Sequence, residues 1–266
     1  MEQRAPAGFE WAREADASPA THSIIVSRGG QLLRCKRLSS RANEDDGARA
    51  RMAREACILQ LLAGRGAPEL VASGLDAHGP YVVMDEVAMP PLSNILSLPP
   101  LGLAALMGVA LRTLAALARV HEARDAGGPL AVVHGDLSPD NVLADDARAV
   151  IVDFGLSGFR DQPLVPAAVF AGTLRYAAPE LARGEHVDQR ADVFAIAATL
   201  LHVASRLPPR EAASAGAMLM QAGSEPMDGY LASCAGRVPR ELLALLAPCL
   251  AFDPAMRPAS AATIAR

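Results

Sequence analysis

The chain has 266 residues, of which 51% are hydrophobic and 20% charged, and its formal net charge is −4. This size and composition predict a globular protein with one large domain or two lobes. The weakly acidic balance gives no electrostatic footprint for nucleic acid or an anionic membrane, so we expect neither as a partner.

The cellular compartment is indicated by the cysteines and by the N-terminus. The four cysteines are far apart in sequence and form no C-x-x-C pair, which favours buried reduced thiols over disulfides or a zinc site. The first residues lack the apolar core of a signal peptide. Arg112 interrupts the most membrane-like stretch, 101–118, which we predict to be a buried helix. We therefore expect a cytoplasmic protein.

The first 87 residues are predicted to form a small antiparallel sheet with one helix. Apolar runs around glycine turns predict the strands, and apolar residues at helical spacing predict the helix. Pro90-Pro91 and Pro99-Pro100 bracket a linker over 88–100, and 101–266 is predicted to be mainly helical. The predicted strands are 23–27, 31–38, 70–75 and 81–87, and the predicted helices are 43–63, 101–122, 188–206, 211–221, 240–250 and 255–265.

Lys36 is the only lysine in the chain, since the other 24 of the 25 basic residues are arginines. A compact ammonium on a flexible stem suits a site that binds phosphate oxygens, and arginine is a poor substitute there. Lys36 lies late in a predicted strand, and Glu55 is the one acid on the apolar stripe of the predicted helix. An acid on an inward face requires a cation. We therefore predict an ion pair between Lys36 and Glu55.

The most informative stretch is 133–154, in which two short predicted strands surround a polar turn. A tight hairpin brings its two ends together, so Asp136, Asn141 and Asp153 are expected to converge. Such a group suits a metal-bound phosphate: one carboxylate orients or deprotonates a hydroxyl, and the amide and the other carboxylate hold Mg²⁺. The simpler alternative is an ordinary hairpin, because aspartate is common in turns and caps.

The sequence HGDLSPDN at 134–141, followed by DFG at 153–155, resembles the catalytic loop and metal motif of protein kinases. The resemblance extends over 24–257. Its strongest part, 171–209, is similar to the end of the activation segment of bacterial Hanks-type serine/threonine kinases. It implies an α+β fold with two lobes. The implied divisions are a sheet lobe over 1–87, a hinge over 88–100 and a helical lobe over 101–266.

The resemblance implies a role for each residue of the predicted cluster. Asp136 is the catalytic aspartate, and Lys36, held by Glu55, contacts the phosphates of ATP. Asn141 and Asp153 are ligands of Mg²⁺, with Mn²⁺ as the substitute cation. These roles together imply an ATP- and metal-dependent transfer of a phosphoryl group.

The same resemblance implies further residues for binding adenine and for the scaffold. The carbonyl of Asp85 and the amide of Val87 pair with adenine, and Met84 lies at the back of the pocket. Thr173 is expected to contact the catalytic aspartate, and Asp192 to brace the backbone of the catalytic loop. Glu180 is expected to form an ion pair with Arg257, which lies late in the chain.

Three departures from the family pattern affect the expected function. The stretch 14–23 contains no glycine where a phosphate-covering loop is expected, so its backbone cannot approach phosphates as closely. Ser138 replaces a lysine that the family places near the transferred phosphoryl group. Gly135 replaces the arginine of H-R-D, which predicts that phosphorylation of the activation segment does not switch this protein.

The predicted function is phosphoryl transfer from ATP to serine or threonine hydroxyls of a protein or peptide. Every residue that contacts metal or hydroxyl in the family is present, which favours activity. The missing glycines and Ser138 favour a second reading, a pseudokinase that acts as a scaffold. A third is a small-molecule or lanthipeptide-precursor phosphotransferase, because HGDLSPDNVL is also similar to the kinase domains of lanthipeptide synthetases.

Overall fold

The computed structural model describes residues 5–160, 162–164 and 173–264. Its N-terminal part has five strands: β1 (Glu10–Ala17), β2 (Thr21–Arg28), β3 (Gln31–Leu38), β4 (Leu70–Asp76) and β5 (Gly79–Asp85). They form an antiparallel sheet with the strand order β1-β2-β3-β5-β4. The β2–β3 turn contains Gly29 and Gly30, both with positive φ, which glycine adopts without a steric penalty.

A single long helix, α1 (Asp46–Leu62), packs against this sheet. It begins where the Asp45 side chain accepts a hydrogen bond from the Gly47 amide, and it ends at Ala63 in the left-handed conformation. Its inner face is apolar except for Glu55, which is 3% exposed. The helix therefore carries one carboxylate into the interior beneath the sheet.

The C-terminal part is mainly helical. α4 (Gln189–Ser205) is buried on nearly all sides, because its many alanines allow neighbouring elements to approach closely. α2 (Leu103–His121) is the one helix in the described ranges that is long and apolar enough to cross a membrane by length and composition. A helix packed in the core of a soluble protein has the same length and apolar composition, and 44% of the most apolar stretch of α2 is buried. The other helices are α3 (Pro179–Ala182), α5 (Ala215–Ser224), α6 (Asp228–Cys234), α7 (Arg240–Leu246) and α8 (Ala261–Ile264).

Two short two-stranded antiparallel ribbons follow α2 in the chain. The first pairs β6 (Arg124–Asp125) with β7 (Gly128–Pro129), and the second pairs β8 (Val142–Ala144) with β9 (Ala149–Ile151). The second ribbon is the hairpin predicted from the sequence. Its turn is closed by Asp145, whose carboxylate accepts hydrogen bonds from the two amides that follow it at 147 and 148.

Several sequence-based predictions of elements were wrong. The predicted helix over 255–265 is a 3₁₀ turn at Pro254–Met256 and the short α8, because Pro258 lies between them and cannot continue a helix. The helix predicted over 211–221 begins later, where the Ser214 hydroxyl caps α5. Cys57 is exposed rather than buried. The strand β1 and the helix α6 were not predicted at all.

Candidate active site

The ion pair that the sequence predicts between Lys36 and Glu55 is present. Lys36 Nζ lies 2.8 Å from Glu55 Oε2 and 2.9 Å from Asp153 Oδ1. Glu55 comes from α1, Lys36 from β3, and Asp153 from the loop after β9, where its φ of 68° is left-handed. The Asp153 side chain is 49% exposed, and it faces the cleft between the five-stranded sheet and the β8–β9 hairpin. One ammonium therefore joins three separate elements at the edge of the cleft.

The charges in this cluster fix its protonation. Burial disfavours the charged form of Lys36, but Glu55 and then Asp153 outweigh that effect and raise the pKa of the ammonium. The Lys36 charge in turn lowers the pKa of the Asp153 carboxyl, despite its desolvation. Near neutral pH, Lys36 is protonated and Asp153 is ionised. The cleft thus presents an ammonium with the chemistry to bind phosphate oxygens beside a carboxylate with the chemistry to bind a metal cation.

Asp136 and Asn141 lie together in the loop before β8. The Asn141 amide nitrogen donates to the Asp136 carbonyl at 2.7 Å and to its Oδ2 at 3.3 Å. The backbone amide of Asp136 donates to His134 Nδ1 at 3.2 Å. Asp136 is half-buried, and its side chain borders the same cleft as Asp153. Because the Asn141 nitrogen is bound to Asp136, the Asn141 oxygen is the atom with the chemistry of a metal ligand.

Asp192, on α4, holds the backbone of the loop that carries Asp136. Its two carboxylate oxygens accept the amides of His134 at 2.7 Å and Gly135 at 2.9 Å, and one of them lies 3.0 Å from His121 Nε2. Asp192 is fully buried. His134 Nε2 lies 3.0 Å from the carbonyl of Val152, the residue before Asp153. The predicted brace by Asp192 is present and joins the loop to α4, while His134 joins the loop to the residue before Asp153.

Gly135 has a local reason for replacing the arginine of the family pattern. Its φ is +75°, in the left-handed region where a residue with a side chain is strained. A Cβ atom at this position would lie 2.5 Å from Leu164 Cδ2. The backbone of this loop therefore favours glycine over a residue with a side chain.

The late ion pair implied by the sequence is present between Glu180 and Arg257. Arg257 donates from both terminal nitrogens to Glu180, at 2.6 and 2.8 Å, and both side chains are buried. The guanidinium also donates to backbone carbonyls and lies over the Phe194 ring at 4.9 Å. The side chain of Thr173 lies outside the described part of the structure, and so does its predicted contact with Asp136.

The turn between β1 and β2, Ser18-Pro19-Ala20, takes the place of the glycine-rich loop. The Ser18 hydroxyl lies 3.0 Å from the Thr21 hydroxyl, so the turn is held by its own side chains. It covers a cavity of about 180 Å³ between the sheet and the hairpin. This cavity is the candidate phosphate-binding site. Its charged and hydroxyl lining residues are Ser18, Thr21, Lys36, Arg51, Glu55, Asp136 and Asp153.

The two residues expected to pair with adenine, Asp85 and Val87, are not part of the lining of this cavity. Asp85 ends β5, and its amide donates to the Glu69 carbonyl at 3.0 Å. The carbonyl of Val87 accepts the Met89 amide at 2.8 Å. Four of the predicted residues therefore line the cavity: Lys36, Glu55, Asp136 and Asp153. Asn141 lies behind them in contact with Asp136, and Asp85 and Val87 lie on the segment that leaves the sheet.

Arg34, two residues before Lys36, was not predicted from the sequence as a residue of the site. Its guanidinium binds Glu86, with Nε 3.0 Å from Oε2 and Nη2 3.3 Å from Oε1, and its Nη1 lies 2.5 Å from Asp16 Oδ2. The V-A-I-K pattern has alanine at this position, and here the strand reads L-R-C-K. The arginine at the position of that alanine was the feature of the sequence that could have identified this residue.

Arg54, on α1 next to Glu55, was also missed. Its Nη1 donates to the Ser157 carbonyl at 2.9 Å and also to the carbonyl of Pro163. The Ser157 hydroxyl in turn donates to the His134 carbonyl at 3.0 Å. Arg54 therefore connects α1 to the segment after Asp153 through backbone carbonyls. No sequence signal identifies such a contact, since carbonyl acceptors exist at every residue.

Residues 21–266 match the family described as the protein kinase domain, and the chain belongs to this family. It is 36% identical over 109 residues to the serine/threonine-protein kinase PknF of Mycobacterium tuberculosis, covering 38% of this chain and 23% of that protein. It is 30% identical over 193 residues to the serine/threonine-protein kinase pkn3 of Myxococcus xanthus, covering 68% and 34%. The chain thus spans about a quarter to a third of the length of these relatives.

The fold is shared with the crystal structure of the M. tuberculosis PknI kinase domain. The TM-score is 0.70 at 24% identity, over 100% of this chain and 96% of that one. This likeness confirms the predicted two-lobed α+β protein-kinase fold. The family match likewise confirms the resemblance to bacterial Hanks-type serine/threonine kinases.

Proposed function

We propose that this chain transfers the γ-phosphoryl group of ATP to serine or threonine hydroxyls of a protein or peptide, in a metal-dependent reaction. One observation carries the proposal: the Lys36 ammonium lies within 3 Å of both Glu55 and Asp153, at a cavity that Asp136 also borders. A structural hairpin needs no half-buried lysine bound to two acids. Membership of the protein kinase family supports the same chemistry.

Asn141 and Asp153 have the chemistry to hold Mg²⁺ or Mn²⁺. Both offer hard oxygen atoms, and Asp153 is ionised because of Lys36. Across the described ranges, no group of three or more His, Cys, Asp or Glu side chains forms a metal cage. The two oxygen donors of Asn141 and Asp153 fit Mg²⁺, because this cation takes one or two protein ligands and completes its coordination with phosphates and water. When bound, the cation neutralises charge on the phosphates.

The remaining chemistry falls to side chains of the chain itself. Asp136 accepts the proton of the substrate hydroxyl, and Asn141 fixes its orientation by the two contacts described above. Lys36 supplies a positive charge to the phosphate oxygens and is held in place by Glu55. Ser138 is buried and carries no charge, so the site depends strongly on Lys36.

We propose that the sheet lobe, the hinge and the helical lobe expected from the sequence have separate roles in this reaction. The sheet lobe, 1–87, covers the nucleotide, and the hinge, 88–100, follows the Asp85 carbonyl and Val87 amide that pair with adenine. The helical lobe, 101–266, supplies the catalytic loop and the surface for a protein or peptide substrate in the cytoplasm. A second candidate function, a pseudokinase scaffold, is favoured by the glycine-free turn and the small cavity.

Thermal stability and label transfer distinguish these functions. We would measure the unfolding temperature with and without ATP, Mg²⁺ and Mn²⁺, and transfer from γ-labelled ATP to a general protein acceptor. A nucleotide at 100 times its Kd stabilises the folded state by about 2.7 kcal/mol. We expect a metal-dependent rise in unfolding temperature, and transfer that is lost in Asp136→Asn. Asp140→Asn is the matched control, since Asp140 is exposed in the same loop.

The outcomes separate the two candidates. Metal-dependent stabilisation without transfer to any acceptor, including the chain itself, would favour the scaffold. Transfer that survives Asp136→Asn would contradict the catalytic role of that aspartate. The absence of any nucleotide effect on stability would contradict the proposed nucleotide site.

A further inference from the structure

The cleft face of the sheet carries two cations on β3, not one. Side chains two residues apart on a strand lie on the same face, so Arg34 and Lys36 share this face. Arg34 pairs with Met84 on β5 and Lys36 pairs with Val82, which places Arg34 closer to the hinge end of the cleft. Arg34 therefore lies between the phosphate-binding cavity and the segment that carries Asp85.

Arg34 is held from both sides. Glu86 follows β5 and binds the guanidinium with both carboxylate oxygens, at 3.0 and 3.3 Å. Asp16 is near the end of β1 and binds it from the opposite side of β3 in the strand order. Arg13, also on β1, reaches Glu86 at 3.8 Å. These contacts tie β1, β3 and the residue after β5 together across the cleft face of the sheet.

The ion-pair network of Arg34 lies outside the lining of the cavity. The cavity of about 180 Å³ is lined by Lys36 and Asp153, and its lining includes neither Arg34 nor the hinge. Pockets that enclose a whole drug-sized ligand measure about 300–1,000 Å³. A group of phosphates fits the open part, and a nucleobase does not fit with it. Arg34 and Glu86, with side chains only 28% and 10% exposed, occupy the space toward the hinge.

We propose that Arg34, held by Glu86 and Asp16, closes the base-binding side of the cleft, so that a nucleotide binds only when the Arg34 side chain is displaced. The proposal rests on the proposed nucleotide site and makes Arg34 the residue that limits its affinity for the base. A ligand with phosphates but no base does not need this displacement. Arg34 thereby discriminates between the two parts of one nucleotide.

The effect on affinity follows from the fraction of molecules in which the side chain is displaced. The apparent Kd equals the intrinsic Kd divided by that fraction, so a displaced fraction of about one tenth weakens binding about tenfold. Without the guanidinium of Arg34, the apparent Kd for ATP equals the intrinsic Kd. The binding of inorganic tripolyphosphate stays unchanged, because that ligand reaches only Lys36 and the metal ligands.

The test compares Mg·ATP with Mg·tripolyphosphate by calorimetry on the whole chain. Arg34→Ala is the main variant, and Glu86 keeps Arg13 as a partner in it. Asp16→Asn is the second variant, since Asp16 is 83% exposed and its change cannot disturb the core. Arg49→Ala is the control, because its pair with Asp46 is an exposed contact on α1.

We expect Arg34→Ala to lower the Kd of Mg·ATP about tenfold, with Asp16→Asn acting in the same direction to a smaller extent. The Kd of Mg·tripolyphosphate and the Kd values of both ligands for the control should change by less than about twofold, which is about 0.4 kcal/mol. An unchanged or raised Kd for ATP in both variants would overturn the proposal, and so would an equal gain for both ligands. If the wild-type chain and the variants bind neither Mg·ATP nor Mg·tripolyphosphate, the proposed nucleotide site itself is contradicted. The wild-type measurement therefore separates this failure from a failure of the proposal about Arg34.

Discussion

Arg257 and Glu180, 77 positions apart in the chain, form a fully buried ion pair with two hydrogen bonds of 2.6 and 2.8 Å. Removing one member leaves an uncompensated buried charge, so we expect Arg257→Ala to lower the free energy of unfolding by about 3–5 kcal/mol. Urea denaturation measures this change. Arg49→Ala, which breaks the exposed pair with Asp46, should cost at most about 1 kcal/mol. Similar losses in the two variants would contradict the assigned importance of burial.

Much of the site could be predicted from the sequence, because its residues stand at fixed spacings on predictable elements. Lys36 was conspicuous as the only lysine, and Glu55 as the only acid on an apolar stripe. A tight hairpin explains why Asp153 approaches the loop of Asp136. These predictions depended on local pattern, and the structure has the corresponding contacts.

The rest depended on tertiary contacts that local pattern does not contain. β1 is mostly exposed and rich in charged residues, so it lacks the alternation that identifies a strand. Without β1 in place, the contact between Asp16 and Arg34 could not be foreseen. The left-handed backbone of Gly135 was equally hidden, because any glycine is compatible with many conformations.

The backbone of Gly135 predicts a specific sensitivity to substitution. We expect Gly135→Ala to destabilise the protein more than Gly184→Ala does, as measured by thermal unfolding. Both residues have positive φ, so both substitutions cost about 1–2 kcal/mol of backbone strain. Only at Gly135 does the new Cβ also meet a neighbour, Leu164, since no heavy atom lies within 4 Å at Gly184. Equal losses would show that Leu164 moves aside without cost.

The ammonium of Lys36 predicts that even arginine is a poor replacement. Lys36→Arg keeps the charge but places a wide planar group between Glu55 and Asp153, where a compact ammonium now sits within 3 Å of both. Because small displacements at a reaction centre cost about 100-fold in rate, we expect transfer to fall by about that factor. The measurement is the initial rate of label transfer at saturating ATP. Arg49→Ala should retain the wild-type rate, and near-normal turnover of Lys36→Arg would contradict the role of Lys36.

The carboxylate of Asp153 is expected to be required for metal-dependent binding and not for folding. Asp153→Asn removes the charge that attracts the cation but keeps an oxygen near Lys36. We expect the stabilisation by ATP with Mg²⁺ to disappear, while the unfolding temperature without ligand changes little, since this side chain is half exposed. Calorimetric titration with Mg·ATP gives the affinity directly. An unchanged affinity would contradict the assignment of Asp153 as a metal ligand.

His202 predicts how stability depends on pH. Burial lowers the pKa of His202 from 6.5 to about 4, and its Nδ1 lies 2.8 Å from the Tyr176 hydroxyl. Burial also raises the pKa of Tyr176 to about 12, so the phenol stays protonated and donates to the neutral ring. Between pH 6.5 and 4 the unfolded chain binds a proton at this histidine that the folded chain does not bind. This contribution to stability is therefore present above pH 6.5 and is lost as the pH falls.

The size of the effect can be measured with one variant. The shift corresponds to about 2 kcal/mol of stability lost between pH 7 and pH 5. In His202→Gln this proton uptake is absent, while the carboxylates titrate as before. We therefore expect denaturation at pH 7 and pH 5 to show a smaller loss for the variant than for the wild type. Parallel losses in the two proteins would mean that His202 takes up its proton equally in the folded and unfolded states.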